Sequence, residues 1–342
     1  MIKSSSFIFI SLLLFSGCGA TIDSIEAFTP IPLEKSAFMP SKEEIKSGKT
    51  KVVLTRIDDR NFQLAQQANL GQSLLVELER ELSQSGTVEI LDRDISRKFE
   101  NEIRLSELNE DSQMSELELS VAKYAISGSL SNAQFTSRFT QTMRWQDKEG
   151  KIHVIPAHYS YTASVSGILK VYAIPSMKIL KTIEFSDNTS RREDSRFFGN
   201  NHYPSDTSGM INKAGRSAIH STRHDFKNFL APKGYIMEQR DDGGTSIVHV
   251  SIGSADGLET GEDVEIFTVH SSINPFTDEQ EIQSVKIADG IISNKLTEHR
   301  AWIIIKDKTQ EIKLGDYIKA KYSKEFGDYF NDFTKVYNGF TR

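Results

Sequence analysis

The stretch KVVLTRIDDRNFQLAQQANLGQSLLVELERELSQSGTVEIL, Lys51 to Leu91, sets the architecture. Lys51 to Ile57 is rich enough in β-branched and aliphatic residues for a strand, and Asp58-Asp59-Arg60-Asn61 is a polar turn. Leu64, Ala68, Gly71, Leu75, Leu78 and Leu82 then recur at steps of three and four, on one face of a helix that ends near Ser85-Gly86. Val88 to Leu91 supplies the next strand. Strand, helix, strand is the repeating unit of a layered α/β domain, because each element must bury its apolar side against the other.

Toward the carboxy terminus, helices are expected over Asp94 to Leu108 and Met114 to Ala122. Strands follow at Tyr124 to Leu130, Gly167 to Ile174 and Lys178 to Phe185. Ile211, Ala214, Ala218, Thr222, Phe226 and Phe229 share the face of a closing helix that Pro232 and Gly234 end. The fold class expected for 51–234 is therefore α/β (α+β), a mixed sheet flanked by helices. From Tyr235 to Tyr322, short strands (Ile247–Ile252, Val264–Val269, Val285–Ile292, Ala301–Ile305, Tyr317–Ala320) separated by glycine turns indicate a small β-barrel, SH3-like unit or sandwich. The tail 323–342 is aromatic, with Phe326, Tyr329, Phe330, Phe333 and Tyr337 at helical spacing.

Toward the amino terminus, 18–50 contains Pro30, Pro32 and Pro40 without sustained periodicity, which suits a tether. Residues 1–17 form a secretory signal: Lys3 gives the positive start and Phe7 to Phe15 the apolar run. The run ends in Leu14-Phe15-Ser16-Gly17-Cys18, which resembles a bacterial lipobox. That resemblance makes Cys18 the acylated (palmitate-bearing) first residue of the mature chain, held in membrane lipid by its acyl chains. With glycine, not aspartate, after Cys18, Gram-negative sorting implies the outer membrane, the body facing the periplasm.

Composition narrows the function. Among 342 residues, 41 Lys+Arg face 47 Asp+Glu, a formal charge of -6 with no basic stripe, which argues against nucleic acid. One cysteine excludes a disulfide framework and a thiolate zinc site. No phosphate loop, dinucleotide fingerprint, nucleophile elbow or HExxH pair occurs, so no enzyme, cofactor or metal is called for. His220 and His224 have metal-compatible helical spacing but lie opposite the apolar face. Asp58 and Asp59 could serve as an acid-base pair, but polar turn residues capping the helix that follows is the better reading, and Asp92 and Asp94, in a similar turn around Arg93, read the same way.

One segment offers a sharper clue. From Gln134 to Ser166 the chain alternates across a turn at Gln146 to Lys151. Phe135, Phe139, Met143 and Trp145, then Ile155, Tyr159, Tyr161 and Val165, form an apolar face, with polar residues opposite. A transmembrane-barrel hairpin and a long soluble hairpin packed on a core or a neighbouring subunit both fit that pattern.

The lipobox, the proline-bearing tether, KVVLTRIDDRN, LERELSQSGTVEILDRD, YAISGSL and SVSGILKVYAIPSMKILKT together resemble the curli production assembly/transport (CsgG-like) lipoprotein family, over about Lys51 to Leu230. Thr245 to Tyr322 is similar to the carboxy-terminal domain of flagellar assembly protein T. The resemblance implies a CsgG/TolB-N-like domain, a homo-oligomeric ring and protein partners in the envelope. It also implies two membrane hairpins per subunit. The first corresponds to Gln134–Ser166, but the second falls on SDNTSRREDSRFFGNNHYPSDTSG, charged in both alternation phases.

Overall fold

The computed structural model describes residues 20–36, 38–46, 49–91, 99–100, 103, 122–194, 206–273 and 280–322. Cys18, the signal segment, the acid pair Asp92 and Asp94, most of the two helices expected between Asp94 and Ala122, and the aromatic tail lie outside them. In chain order the strands begin with β1 (Thr29–Ile31), β2 (Thr50–Asp58) and β3 (Val88–Ile90). Then come β4 (Tyr124–Thr140), β5 (Met143–Gln146), β6 (Ile152–Ile155), β7 (His158–Ala173) and β8 (Ile179–Asp194). The helices are α1 (Lys42–Lys46), α2 (Gln63–Gln67), α3 (Leu70–Gln84), α4 (Thr207–His220) and α5 (Arg223–Leu230). Six further strands follow among the described residues: β9 (Gly234–Asp241), β10 (Ser246–Val250), β11 (Asp263–Ile273), β12 (Gln280–Leu296), β13 (Ala301–Lys306) and β14 (Tyr317–Lys321). The chain forms two compact units, and the fold is mixed α+β: a helix-backed sheet in one, a small barrel in the other.

In the first unit, Pro40–Gly234 builds a five-stranded sheet in the order β3-β2-β4-β7-β8. β2 pairs in parallel with β3 and β4, whereas β4, β7 and β8 form an antiparallel meander. On one face α3 and α4 bury Leu70, Leu74, Leu78, Leu82, Ile211, Ala214 and Ala218 against Val52, Leu54, Ile126, Leu169 and Val171. On the other, Val53, Ala125 and Tyr172 pack with Phe99, Ile103 and Ala122.

The single helix expected from Leu64 to Leu82 is two. Asn69 adopts a left-handed conformation (φ 48°), which asparagine tolerates better than most residues, and this breaks the helix after Gln67. The break rotates the buried stripe, so Leu70 and Leu74 go inside while Leu64 is exposed and Leu75 only partly covered. The closing helix is likewise split. Ser221 and Thr222 turn their hydroxyls back onto the carbonyls of Ala218 and Ile219, each at 2.7 Å, competing with the helical ladder.

The second unit is a six-stranded barrel in the order β9-β10-β13-β12-β11-β14, closed by pairing of β9 with β14. Closure leaves no open sheet edge in the ring. Its interior holds Ile236, Val248, Val250, Val264, Ile266, Ile292, Ile303 and Ile318. Much of the expected tether belongs to this unit. Residues 20–36 run along the barrel as a strap, with β1 pairing antiparallel to β9 from Thr29↔Asp241 to Ile31↔Gln239. Ile22 is 2% exposed among Ile247 and Trp302.

Candidate interaction surface

The expected hairpin exists but is longer and differently partnered than the sequence indicates. β4 joins YAISGSL and the aromatic stretch in one 17-residue strand, and β7 joins the second arm to GILKVYAI. At roughly 3.3 Å per residue such strands reach about 55 Å. Register pairs Phe135 with Ala163, Ser137 with Tyr161 and Phe139 with Tyr159, so these side chains share one face. Phe135 stacks on Tyr161 (centroids 6.0 Å), Phe139 leans on Tyr159 (5.0 Å), and the two tyrosines lie parallel at 6.0 Å.

That face is largely interior. Tyr159, Tyr161 and Val165 belong to the same buried cluster as the α3 and α4 leucines and alanines, with Phe135 partly covered against it. β8 reaches the same level, pairing with β7 from Tyr172↔Ile179 to His158↔Asp194. The charged stretch where a second membrane hairpin was expected therefore begins as the third strand of the β4-β7-β8 meander, at the sheet's edge. Asp187, opposite Val165, accepts a hydrogen bond from the Ser217 hydroxyl of α4, and Arg191, opposite Tyr161, pairs with Glu193. The other face carries Gln134, Thr136 and Arg138 from β4, opposite Ser164, Thr162 and Ser160 of β7.

The arm ends differently. Pro156 has no N–H to give a ladder, and the Ala157 N–H instead meets the Thr142 hydroxyl at 3.1 Å. Beyond that point β5 and β6 form a separate two-stranded ribbon. Asp147 ties its turn, accepting from the Glu149 and Lys151 amides (3.0 and 2.8 Å) and meeting His153 Nε2 at 2.7 Å. The His153 contact and these amides hold the Asp147 carboxyl below its usual range. Trp145 stacks on His153 with centroids 5.2 Å apart. Register places Met143, Trp145, His153 and Ile155 on one face and Arg144, Gln146, Ile152 and Val154 on the other. Met143, Trp145, Ile152 and Val154 are 47–68% exposed, so the ribbon offers apolar side chains to solvent from both sides. Phe139, at its base, is exposed too. Of the expected apolar face, the structure thus buries Tyr159, Tyr161 and Val165, half-covers Phe135 and Ile155, and leaves Phe139, Met143 and Trp145 open. Ile152 and Val154 escaped the sequence reading because they fall in the opposite alternation phase to Ile155, on the face read as polar.

The titratable candidates resolve into structural roles. Asp58 pairs with Arg60 through two short contacts (2.6 and 2.9 Å), which pull its carboxyl down to about 2. Asp59 accepts from the Gly71 N–H at 3.0 Å, capping α3 from twelve residues upstream. The two acids therefore serve different partners. His220 ends α4 whereas His224 lies in α5, and His220 Nδ1 meets Glu81 at 2.8 Å. Glu77, Glu81 and His220 bring ligand-type atoms within 4.8 Å of one another. Arg80 already bonds both carboxylates and Arg223 contacts the other nitrogen of His220, so the cluster is an ion-pair network. A cavity of about 430 Å³ opens on the sheet beside Thr55, Arg56, Arg60, Lys170 and Tyr172. There Arg56 is paired with Glu100 at 2.8 Å and Arg60 with Asp58.

No family model and no curated protein sequence matches the chain. Solved structures give distant likenesses. A Caulobacter crescentus CB15 protein provisionally described as a lipoprotein is 11% identical, with TM-score 0.27, over 56% of this chain and 98% of its own. A PelC dodecamer from Paraburkholderia phytofirmans is 11% identical, TM-score 0.24, over 56% and 94%. A minor lipoprotein from Acinetobacter baumannii is 8% identical, TM-score 0.22, over 53% and 90%. At these scores the likeness fixes neither fold nor role.

Proposed function

We propose that this protein is a lipid-anchored envelope lipoprotein, held by acylated Cys18 in the outer membrane and facing the periplasm, that works without catalysis as a homo-oligomeric assembly or secretion component. The observation that supports it is the β5–β6 ribbon. A two-stranded ribbon alone in water is marginally stable, and exposed apolar clusters mark contact surfaces. Met143, Trp145, Ile152 and Val154 on both of its faces suit burial between neighbouring subunits. On this reading the acyl group supplies the attachment; no helix among the described residues is long and apolar enough to cross a membrane.

The export pore is the alternative, and it draws less support. A lipid-facing hairpin needs one free apolar side, whereas here Tyr159, Tyr161 and Val165 are covered within the protomer and the opposite face is polar. A regulator of an envelope enzyme or of a flagellar ring is a third role, and it would act as a monomer.

Detergent extraction, light scattering and negative-stain imaging separate these roles. Rings without a membrane-embedded belt are expected. A clean monomer at micromolar concentration would overturn the oligomeric reading in favour of the regulator, and a belt with bilayer conductance would favour the pore. Cys18→Ala is expected to release the protein from the membrane fraction after a carbonate wash.

A further inference from the structure

We infer that the barrel docks on the membrane, its end formed by the β12–β13 turn, Thr297 to Arg300, resting against the lipid headgroup layer. The inference rests on acylation of Cys18. Its basis is how little chain separates that residue from the fold. The Ala20 carbonyl already accepts from the Asn294 N–H at 3.1 Å, and the Ile22 N–H donates to Asn294 Oδ1 at 2.8 Å. Lys295 Nζ then donates to the Asp23 carbonyl at 3.1 Å. Ile22 is buried with Ile247 and Trp302, so the attachment has an apolar lock as well as polar bonds. At the far end of the strap, Leu314 N–H donates to the Glu34 carbonyl (2.8 Å) and Ser36 N–H to the Leu314 carbonyl (2.9 Å). The strap is fastened at both ends and along its middle by β1.

Two peptide units join Cys18 to Ala20, and at roughly 3.3–3.6 Å per residue they span about 7 Å. A tether of some thirty free residues would leave the body tens of ångströms from the lipid. This one leaves Asn294 within about one headgroup layer. Asn294 lies between the Ile292↔Ile303 and Leu296↔Ala301 pairs of β12 and β13, two residues from the strand end. The turn that follows carries Glu298 and His299, both largely exposed. The β9–β10 turn at Asp242–Thr245 lies at the opposite end, since β10 pairs Val250 with Ala301 but Ile247 with Ile304. Five or six strand residues at about 3.3 Å each put roughly 20 Å between the two ends.

The single native cysteine carries the anchor, so a cysteine introduced elsewhere is the one free thiol. Glu298→Cys and Gly243→Cys, each made in the full lipidated chain, are labelled with a fluorescent donor. They are reconstituted into phospholipid vesicles containing a headgroup-linked acceptor. Energy transfer should be clearly stronger from position 298 than from 243. A ten-residue Gly/Ser insertion between Gly19 and Ala20 should reduce the transfer from 298 severalfold and erase the difference. Equal transfer in the parent, the reverse order, or insensitivity to the insertion would overturn barrel docking while leaving the anchor intact. Absence of transfer at both sites, with an unmodified amino terminus by mass spectrometry, would instead overturn the anchor reading and this inference with it.

Discussion

Replacing Gly71 by alanine should destabilise the α/β unit, although the same change inside an ordinary helix stabilises. Gly71 is the second residue of α3, and a Cβ there would stand 2.5 Å from the Ile57 carbonyl oxygen and 3.0 Å from Asp59 Oδ2. The first contact lies nearly an ångström inside ordinary van der Waals distance and involves backbone of the inner strand β2, which cannot swing away as a side chain can. Overpacking of this kind costs about 1–3 kcal/mol. The second contact pushes Asp59 off the Gly71 N–H that it caps at 3.0 Å, a loss of about 1 kcal/mol. Alanine's better helix propensity returns about 1 kcal/mol. The net expectation is about 1–3 kcal/mol, a fall of roughly 3–10 °C in melting temperature for a unit of this size. Thermal melts followed by circular dichroism measure it, with urea midpoints as a check. The shared cause is tested by a double-mutant cycle: Asp59→Ala should cost about 1 kcal/mol in the parent but little once Gly71→Ala has displaced the carboxylate. An unchanged or raised melting temperature, or equal Asp59→Ala costs in both backgrounds, would refute the reasoning.

Other expectations follow from the same packing. Tyr159→Asp puts an uncompensated carboxylate in the core and should cost at least about 3 kcal/mol of α/β-unit stability by urea titration. Trp145→Asp on the exposed ribbon should leave the melting temperature within about 2 °C but dissociate the oligomer in light scattering. Burial raises the Asp316 carboxyl above its usual range, against the Lys313 amide and Thr268 hydroxyl bonds that lower it. A raised folded-state value means that the stability this group contributes is fully present below the ordinary carboxylate pKa and is lost as pH rises through the folded-state value. Asp316→Asn, measured against the parent by urea midpoints from pH 4 to 8, should therefore become relatively more stable as pH rises. A pH-independent difference would contradict that assignment.

Alternation and three-to-four spacing are local signals, and they located most elements here. KVVLTRI is β2, VEI is β3, and the five strands read between Ile247 and Ala320 all form, with bounds shifted by a few residues. The helix face Ile211, Ala214, Ala218, Thr222, Phe226 is buried as spaced and Phe229 partly so, even though the helix breaks within it. The cap role for Asp59 was legible only in part, because the amide it binds is not that of the helix that follows but Gly71 N–H of α3, twelve residues on, which only the fold brings to it. β9 gave no clear signal, since GYIMEQRD mixes polar and apolar residues without strict alternation.

Periodicity sorts the hairpin's residues onto two faces, but it carries no information about what covers each one. Only the packed chain shows Tyr159, Tyr161 and Val165 inside the buried cluster that α4 shares, with β8 paired alongside β7, while the ribbon's Trp145 and Ile152 stay open. The strap is the same case. Its prolines and irregular spacing read as free tether, because bonds from Ala20 and Ile22 to Asn294, 272 residues away from Ile22, leave no trace in neighbouring sequence. The sequence by itself determined the kinds of element and their approximate order, through the chemistry of residues a few positions apart. Tertiary structure alone decided which apolar surfaces are core and which segment is fastened to what, because burial is a property of distant residues brought together.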